Sequence, residues 1–201
     1  MIKRYSMFKC GSIVLVNNKK SLFSKIIKWV TSSNYSHCAI TMGNLIPKSE
    51  SILTAEWFIL THPLQRYFEN KDYDIEIYEI QNIAEQELEN IVIDLYNARV
   101  NRGYAFWQNL WFIYRYLIAE KLGFDVRRQG NWFPKSDNCS EETYDLLKKV
   151  TEVSVHINTK LIPMGYKLSE WNSNCFSPKD AKIIINKFPE NFKLAYESKN
   201  A

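Results

Sequence analysis

Residues 11–43, GSIVLVNNKKSLFSKIIKWVTSSNYSHCAITMG, decide the fold of this chain. The β-branched run at 11–17 lies between a glycine and an Asn-Asn-Lys-Lys turn and predicts a buried strand. Ser21 is placed to open a helix whose apolar residues repeat with the 3.6-residue period and which ends in the polar run at 31–34. Residues 37–43 predict a second strand. The stretch therefore predicts a strand, an amphipathic helix and another strand.

The rest of the chain has its strands before residue 80 and long helices after it. Strands are predicted at 51–58 and 74–80. Helices are predicted at 83–100 with Asn82 and Glu85 as a capping box, at 104–122, at 138–150 with Asn138 as N-cap, and from Ser177, a cap followed by Pro178. The polar residues within 104–122 leave it short of the ~20 apolar residues of a membrane span, so we expect a buried helix. This order predicts an α+β fold, with a small antiparallel sheet packed against helices, in a single domain over 1–201.

Composition indicates an ordinary globular protein with an uneven distribution of charge. The 201 residues are 46% apolar and 24% charged, which excludes a disordered chain and a disulfide-rich miniature. Residues 1–50 hold eight Lys or Arg and one acid, Glu50. Such a basic region is usually a solvated face, and a weak contact with a membrane surface is the alternative. No basic stretch alternates with stacking aromatics in a known module, so we expect no nucleic acid partner.

The N-terminus and the cysteines bear on the compartment. No secretory signal is visible, so we expect the cytoplasm of the producing cell, with release by lysis or inside a virus particle as alternatives. The four cysteines, at positions 10, 38, 139 and 175, have no CxxC spacing. We therefore expect reduced thiols.

Common cofactor and metal motifs are absent from the sequence. It contains no GxGxxG, no GxxxxGK[ST] and no GxSxG, which disfavours dinucleotide binding, P-loop chemistry and the usual serine hydrolases. The histidines at 37, 62 and 156 are scattered, and no HExxH is present. We expect no cofactor and no bound metal.

Cys139 is a candidate nucleophile because it lies in the first turn of a predicted helix. Unpaired backbone N–H groups and the helix dipole favour a thiolate there. Its neighbours are polar, with Asn138 before it and Ser140 after it, which packing alone does not require. The acidic residues nearby oppose ionisation, and a cysteine without a base would be merely exposed. The local sequence therefore leaves a catalytic and a non-catalytic thiol open.

His37 is the best candidate for a base. It begins a predicted strand and shares a face with the small residue Ala39, whereas His62 precedes Pro63 in a predicted turn. A neutral imidazole can take a thiol proton and return it to a leaving group. On the next strand Thr54 and Glu56 share a face, and either could orient the imidazole. Glu56 is the first choice, because a carboxylate also stabilises imidazolium.

The order of these segments resembles that of the circularly permuted papain-like hydrolases. The matching segments are GSIVLVN, YSHCAITMG, the strand ending in AEW, RGYAFW and NCSEETYDLL. They resemble the YiiX-like branch of the NlpC-type superfamily, to which the lecithin:retinol acyltransferase group is related. The resemblance implies a permuted papain-like fold over about 11–150, with Cys139 as the nucleophile and His37 as its base.

Two further positions follow from the same resemblance. The third polar residue is expected just before an alanine, where this chain has Thr54, while Glu56 comes after that alanine. Tyr35, next to the Ser-His pair, is expected to point its hydroxyl toward the site.

The resemblance implies a cysteine peptidase or amidase that forms a thioester on Cys139. Its substrate would be a peptide or another amide, and cell-wall peptides are one class that the resemblance allows. Two alternatives stay open. One is a lipid-directed acyltransferase or thioesterase, and the other is a catalytically silent papain-like module that binds a peptide or a partner protein.

Overall fold

The computed structural model describes residues 7–45, 51–55, 59–100, 103–104, 122, 136–137, 140–153, 168 and 176–198. The strands are β1 (Ile13–Asn18), β2 (His37–Thr41), β3 (Ser51–Ala55), β4 (Ile59–Pro63), β5 (Tyr73–Ile80), β6 (Gly103–Tyr104), β7 (Ser136–Asp137) and β8 (Phe192–Ser198). The helices are α1 (Leu22–Thr31), α2 (Gln65–Phe68), α3 (Glu85–Arg99), α4 (Glu141–Val153) and α5 (Pro178–Lys187). None of these described helices is long and apolar enough to cross a bilayer.

Six strands form one antiparallel sheet in the order β4-β3-β2-β1-β5-β8. Strands β6 and β7 pair with each other in parallel. Helix α4 packs against both α3 and β2. The predicted α+β fold, with an antiparallel sheet packed against helices, is confirmed.

Alternation along the strands divides the buried residues into two cores. The helix-side core joins the sheet residues Ile13, Leu15, Cys38, Ile40 and Leu53 to the buried faces of α3, α4 and α5. The outer core joins Val14, Val16, Ala39, Ile52, Ile75 and Ile77 to Phe8, Leu64 and Tyr67. Successive residues of a strand point to opposite faces, which is why neighbours such as Val14 and Leu15 belong to different cores. Burial of apolar side chains on both faces explains the continuous apolar run of β1.

The opening strand, helix and strand follow the prediction closely. The Ser21 side chain accepts a hydrogen bond from the Ser24 backbone N–H and caps α1. Strand β2 ends at Thr41, earlier than predicted, because Gly43 adopts a φ of +53° and starts a short 3-10 turn. A Cβ at Gly43 would lie 2.8 Å from the Cys10 backbone nitrogen, so only glycine fits there.

Helix α3 begins differently from the prediction. Its N-cap is Ala84, which makes no side-chain capping bond, so the capping box of Asn82 and Glu85 is wrong. Asn82 instead has a φ of +63°, and its amide donates to the Glu190 carbonyl at 3.2 Å. A left-handed residue turns the chain, and asparagine tolerates that conformation better than most residues.

His62 and Pro63 lie in strand β4, not in the predicted turn. Strand β4 is the terminal strand of the sheet. Proline is tolerated in an edge strand because the missing N–H can fall on the unpaired side. Proline is therefore a misleading turn signal at this position.

The C-terminal segment contributes both a predicted helix and an unpredicted strand. Ser177 and Asp180 form a capping box at the start of α5, with Pro178 in the first turn, as the sequence indicates. After α5 the chain forms β8, which pairs with β5 and completes the sheet. Strand β8 is mostly exposed, so its sequence lacks the apolar pattern of a buried strand.

The predicted helix at 104–122 and the proposed N-cap Asn138 lie outside the described residues, apart from positions 104 and 122.

Candidate active site

His37 is the first residue of β2 and pairs with Val16 of β1. The Ser36 backbone N–H donates to the Val16 carbonyl at 2.9 Å, which fixes the chain just before the histidine. His37 is half-buried, so its ring is held by the sheet and still partly open to solvent. The end of a strand in the centre of a sheet is a rigid support for a reactive side chain.

The His37 ring contacts the neighbouring strand through a hydrogen bond between Nε2 and Thr54 Oγ1, at 2.5 Å. Thr54 is fully buried. Of the two candidates for the third group, the structure brings Thr54 to the imidazole, while Glu56 lies outside the described residues. Cys139 also lies outside them, so the roles of Glu56 and Cys139 stay predictions.

Alternation and the contact with Thr54 place His37 on the outer face of the sheet. Ala39, two residues further along β2, belongs to the outer core, whereas Cys38 belongs to the helix-side core. Helix α4 packs on the helix-side core through Leu146, Leu147 and Val150. The His37 ring and helix α4 therefore lie on opposite faces of the sheet.

The start of α4 is a buried acidic segment held by an arginine of α3. The Ser140 carbonyl accepts from the Tyr144 N–H at 2.8 Å, so the helical hydrogen bonds begin one residue after Cys139. Glu141 Oε2 lies 3.6 Å from Arg99 Nη1, and Asp145 also pairs with Arg99. The guanidinium partly cancels the acidic charge that the sequence places beside Cys139.

A polar cluster on the helix-covered face is not apparent from the sequence. Lys182 of α5 donates to Glu76 of β5 at 2.6 Å and also to the Tyr78 hydroxyl oxygen, while Tyr78 O–H donates to Glu76 at 2.6 Å. Tyr35 is hydrogen-bonded to the same carboxylate. We call Tyr35, Glu76, Tyr78 and Lys182 the Glu76 cluster. The Tyr35 hydroxyl therefore bonds to this cluster, and its expected orientation toward Cys139 stays a prediction.

The pKa values in the Glu76 cluster follow from burial and hydrogen bonding. Burial, together with the bond to Glu76, raises the pKa of Tyr35 and of Tyr78. Burial would also raise the pKa of Glu76, but hydrogen bonds from Lys182, Tyr35 and Tyr78 outweigh it and lower that pKa. Glu76 is thus a carboxylate at neutral pH, and the two tyrosines are its neutral donors.

Two of the other cysteine thiols are buried and therefore poorly reactive. Burial raises the pKa of the Cys10 thiol to about 12, and the negative charge of Glu89 adds to that effect. Cys38 is fully buried in the helix-side core. Both cysteines are free thiols, and both are poor nucleophiles at neutral pH.

The sheet and the helices on it define an α+β protein built on six antiparallel strands. The fold is similar to the crystal structure of metalloprotein yiiX from Escherichia coli O157:H7, DUF1105, with a TM-score of 0.52 and 16% sequence identity. The similarity covers 71% of this chain and 66% of that chain, just under two thirds of its length. At this identity the likeness shows the fold alone. No protein-family model and no curated protein matches the chain.

Proposed function

We propose that this protein is a thiol hydrolase of the permuted papain-like type, which cleaves an amide bond with Cys139 as nucleophile and His37 as general base. The observation that carries the proposal is the hydrogen bond between His37 Nε2 and Thr54 Oγ1. Thr54 directly precedes Ala55, where the YiiX-like resemblance expects a polar partner for the histidine. The likeness of the fold to the YiiX structure supports the same assignment.

One ring nitrogen of His37, Nε2, bonds to Thr54 Oγ1, and we assign proton transfer to the other, Nδ1. If Nε2–H donates to Oγ1, then Nδ1 carries the lone pair that accepts the Cys139 thiol proton. The thiolate adds to the amide carbonyl carbon, and the carbonyl oxygen becomes an oxyanion. The C–N bond then breaks as His37 gives its proton to the departing amine, which leaves a thioester on Cys139.

Water completes the cycle. His37 takes a proton from water as the oxygen attacks the thioester, and the C–S bond breaks to give a carboxylic acid and the restored thiol. We assign the oxyanion donor to the Cys139 backbone N–H at the start of α4. Such a donor is commonly worth about 3 kcal/mol in the transition state.

The described donor groups around His37, among which Glu56 and Cys139 are not counted, do not fit a metal centre. Among the residues that the structure describes, no three His, Cys, Asp or Glu side chains are close enough together to hold an ion. Thr54, which bonds to the His37 ring, offers a neutral hydroxyl, and this group is not among the usual ligands of zinc. The similar YiiX protein is called a metalloprotein. The mechanism proposed for this chain takes no step through a metal.

The first prediction concerns thiol reactivity. Cys139 is expected to alkylate with iodoacetamide well below pH 8, because a neighbouring imidazole and a helix start both favour its thiolate. Cys10 and Cys38 should stay unlabelled in the folded protein because both are buried. Mass spectrometry of briefly treated protein, over a series of pH values, reports which cysteine reacts. The substitution His37→Ala should move the reaction of Cys139 to higher pH.

Activity is tested on three defined probes: a digest of cell-wall peptides, a peptide p-nitroanilide and a p-nitrophenyl acyl ester. Cys139→Ala and His37→Ala should each abolish cleavage of any probe that the wild type cleaves, while thermal unfolding stays nearly unchanged. Full activity in Cys139→Ala would overturn the assignment. Cleavage of the ester alone would favour a lipid-directed esterase. An unreactive Cys139 without cleavage of any probe would leave a binding module of the same fold.

A further inference from the structure

Helix α1 exposes a stripe of large apolar side chains. Leu22 is 73% exposed, Ile26 37% and Trp29 70%. These residues are four and three positions apart, so they lie on one side of the helix within about 60° of arc. We call Leu22, Ile26 and Trp29 the α1 stripe. Isolated exposed apolar residues are common, but three adjacent ones of this size on one helix face indicate an interaction surface.

The stripe is the uncovered part of a wider apolar arc. Val30 and Thr31 are buried against the protein, and Phe23 and Ile27 are half-buried beside them. The α1 stripe is the part of the same apolar arc that faces away from this contact and into solvent. The well-formed cap at Ser21 and the left-handed Ser32 at the other end keep α1 helical, so the stripe is a fixed feature of the surface.

Two exposed lysines lie beside the stripe. Lys25 is exposed next to it on the helix, and Lys20, just before the helix, has a side chain that is 81% exposed. The first turn of α1 contains no acidic residue. Lys20 lies 3.6 Å from Asp72, and both side chains are well solvated, so water and salt weaken that pair. The surface therefore combines exposed apolar side chains with exposed lysine side chains.

We propose that the α1 stripe docks on the interface of an anionic membrane. Such an interface accepts Leu22 and Ile26 at the acyl boundary, places the Trp29 indole among the headgroups and attracts the adjacent lysines. A second copy of this chain is a poorer partner, because symmetric docking through this helix would bring lysines together. The proposal uses none of the residues assigned to hydrolysis and stands independently of it.

The test is co-sedimentation of the full chain with extruded vesicles. Vesicles of phosphatidylcholine mixed with phosphatidylglycerol should bind the protein at low salt, and vesicles of phosphatidylcholine alone should bind it weakly. The double substitution Leu22→Gln and Trp29→Gln should lower the apparent affinity for the anionic vesicles at least about tenfold. Ile93→Gln is the matched control, because Ile93 is 38% exposed on a different helix. This control should bind like the wild type.

Two further sets of variants separate membrane docking from self-association and from hydrolysis. Lys20→Gln with Lys25→Gln should weaken binding to anionic vesicles, and Cys139→Ala should leave it unchanged. Equal binding by the stripe variant and the wild type would overturn the proposal, as would binding that ignores lipid charge and salt. A concentration-dependent dimer in sedimentation velocity that the stripe substitutions abolish would assign the surface to self-association instead. Thermal unfolding should be nearly the same in the stripe, lysine and Ile93 variants, because the side chains substituted in them are exposed.

Discussion

At the scale of single residues, the partner of His37 is a hydroxyl where the sequence favours a carboxylate. A carboxylate would orient the imidazole and also stabilise its positive charge, whereas a threonine hydroxyl only orients it. Thr54 is fully buried, and a buried hydroxyl without a hydrogen bond costs free energy. The bond to His37 therefore stabilises the threonine as well as the ring. We therefore regard Thr54 as a positioning residue.

A threonine series tests this role. Thr54→Val keeps the shape of the side chain and removes the hydroxyl, so kcat on a cleaved probe should fall about tenfold, the equivalent of one lost hydrogen bond. Thr54→Ser should retain most of the activity. The pH at which kcat falls on the acid side of its pH profile should stay nearly unchanged, since the hydroxyl is neutral. Wild-type kcat in Thr54→Val, together with loss of activity in Glu56→Gln, would move the role to Glu56.

At the scale of elements, an arginine joins the end of α3 to the start of α4. Arg99 lies in the last turn of α3 and pairs with Glu141 and Asp145 near the start of α4. Positive charge at a helix C-terminus and negative charge at an N-terminus both complement the helix dipoles. The pairing therefore holds α4, and with it the residue that follows Cys139, against α3.

Removal of the Arg99 guanidinium should lower the stability of the folded protein, because the carboxylates of Glu141 and Asp145 remain. Glu141 is almost completely buried, so Arg99→Ala removes a neighbouring positive charge from a desolvated carboxylate. We expect a loss of about 3–5 kcal/mol in the free energy of unfolding, measured in urea. Arg66→Ala on α2 is the control, since Arg66 is exposed and should cost under about 0.5 kcal/mol. Similar losses in the two variants would contradict the assignment.

At the scale of the whole molecule, the Glu76 cluster fastens the C-terminal helix to the sheet. Lys182 of α5 reaches Glu76 of β5, and Tyr35 joins the same carboxylate from the segment that leads into His37. The cluster thus links three regions that are distant in sequence. It also holds the chain two residues before the proposed base.

The pH dependence of stability follows from the direction of the pKa shift. The pKa of Glu76 in the folded protein is lower than its ordinary value, so folding favours the carboxylate. Its stabilising contribution is present above the unfolded pKa and is lost as the pH falls through the folded pKa. In urea unfolding, Glu76→Gln should therefore be less stable than the wild type at neutral pH, with the difference shrinking in acid. A difference that is constant with pH would contradict this role of the carboxylate.

The sequence by itself determined β1, α1, β2 and the start of α5, because hydrophobic periodicity and helix caps depend on residues a few positions apart. It also identified His37 as the candidate base, and it left Thr54 and Glu56 as the two candidates for the group that orients the imidazole. Only the tertiary structure decided that Thr54 touches the imidazole, that β8 completes the sheet beside β5, and that Arg99 and Lys182 meet their carboxylates. Each of these pairings joins parts of the chain that are distant in sequence. The packing of the whole sheet and its helices selects such partners, so no local sequence pattern predicts them.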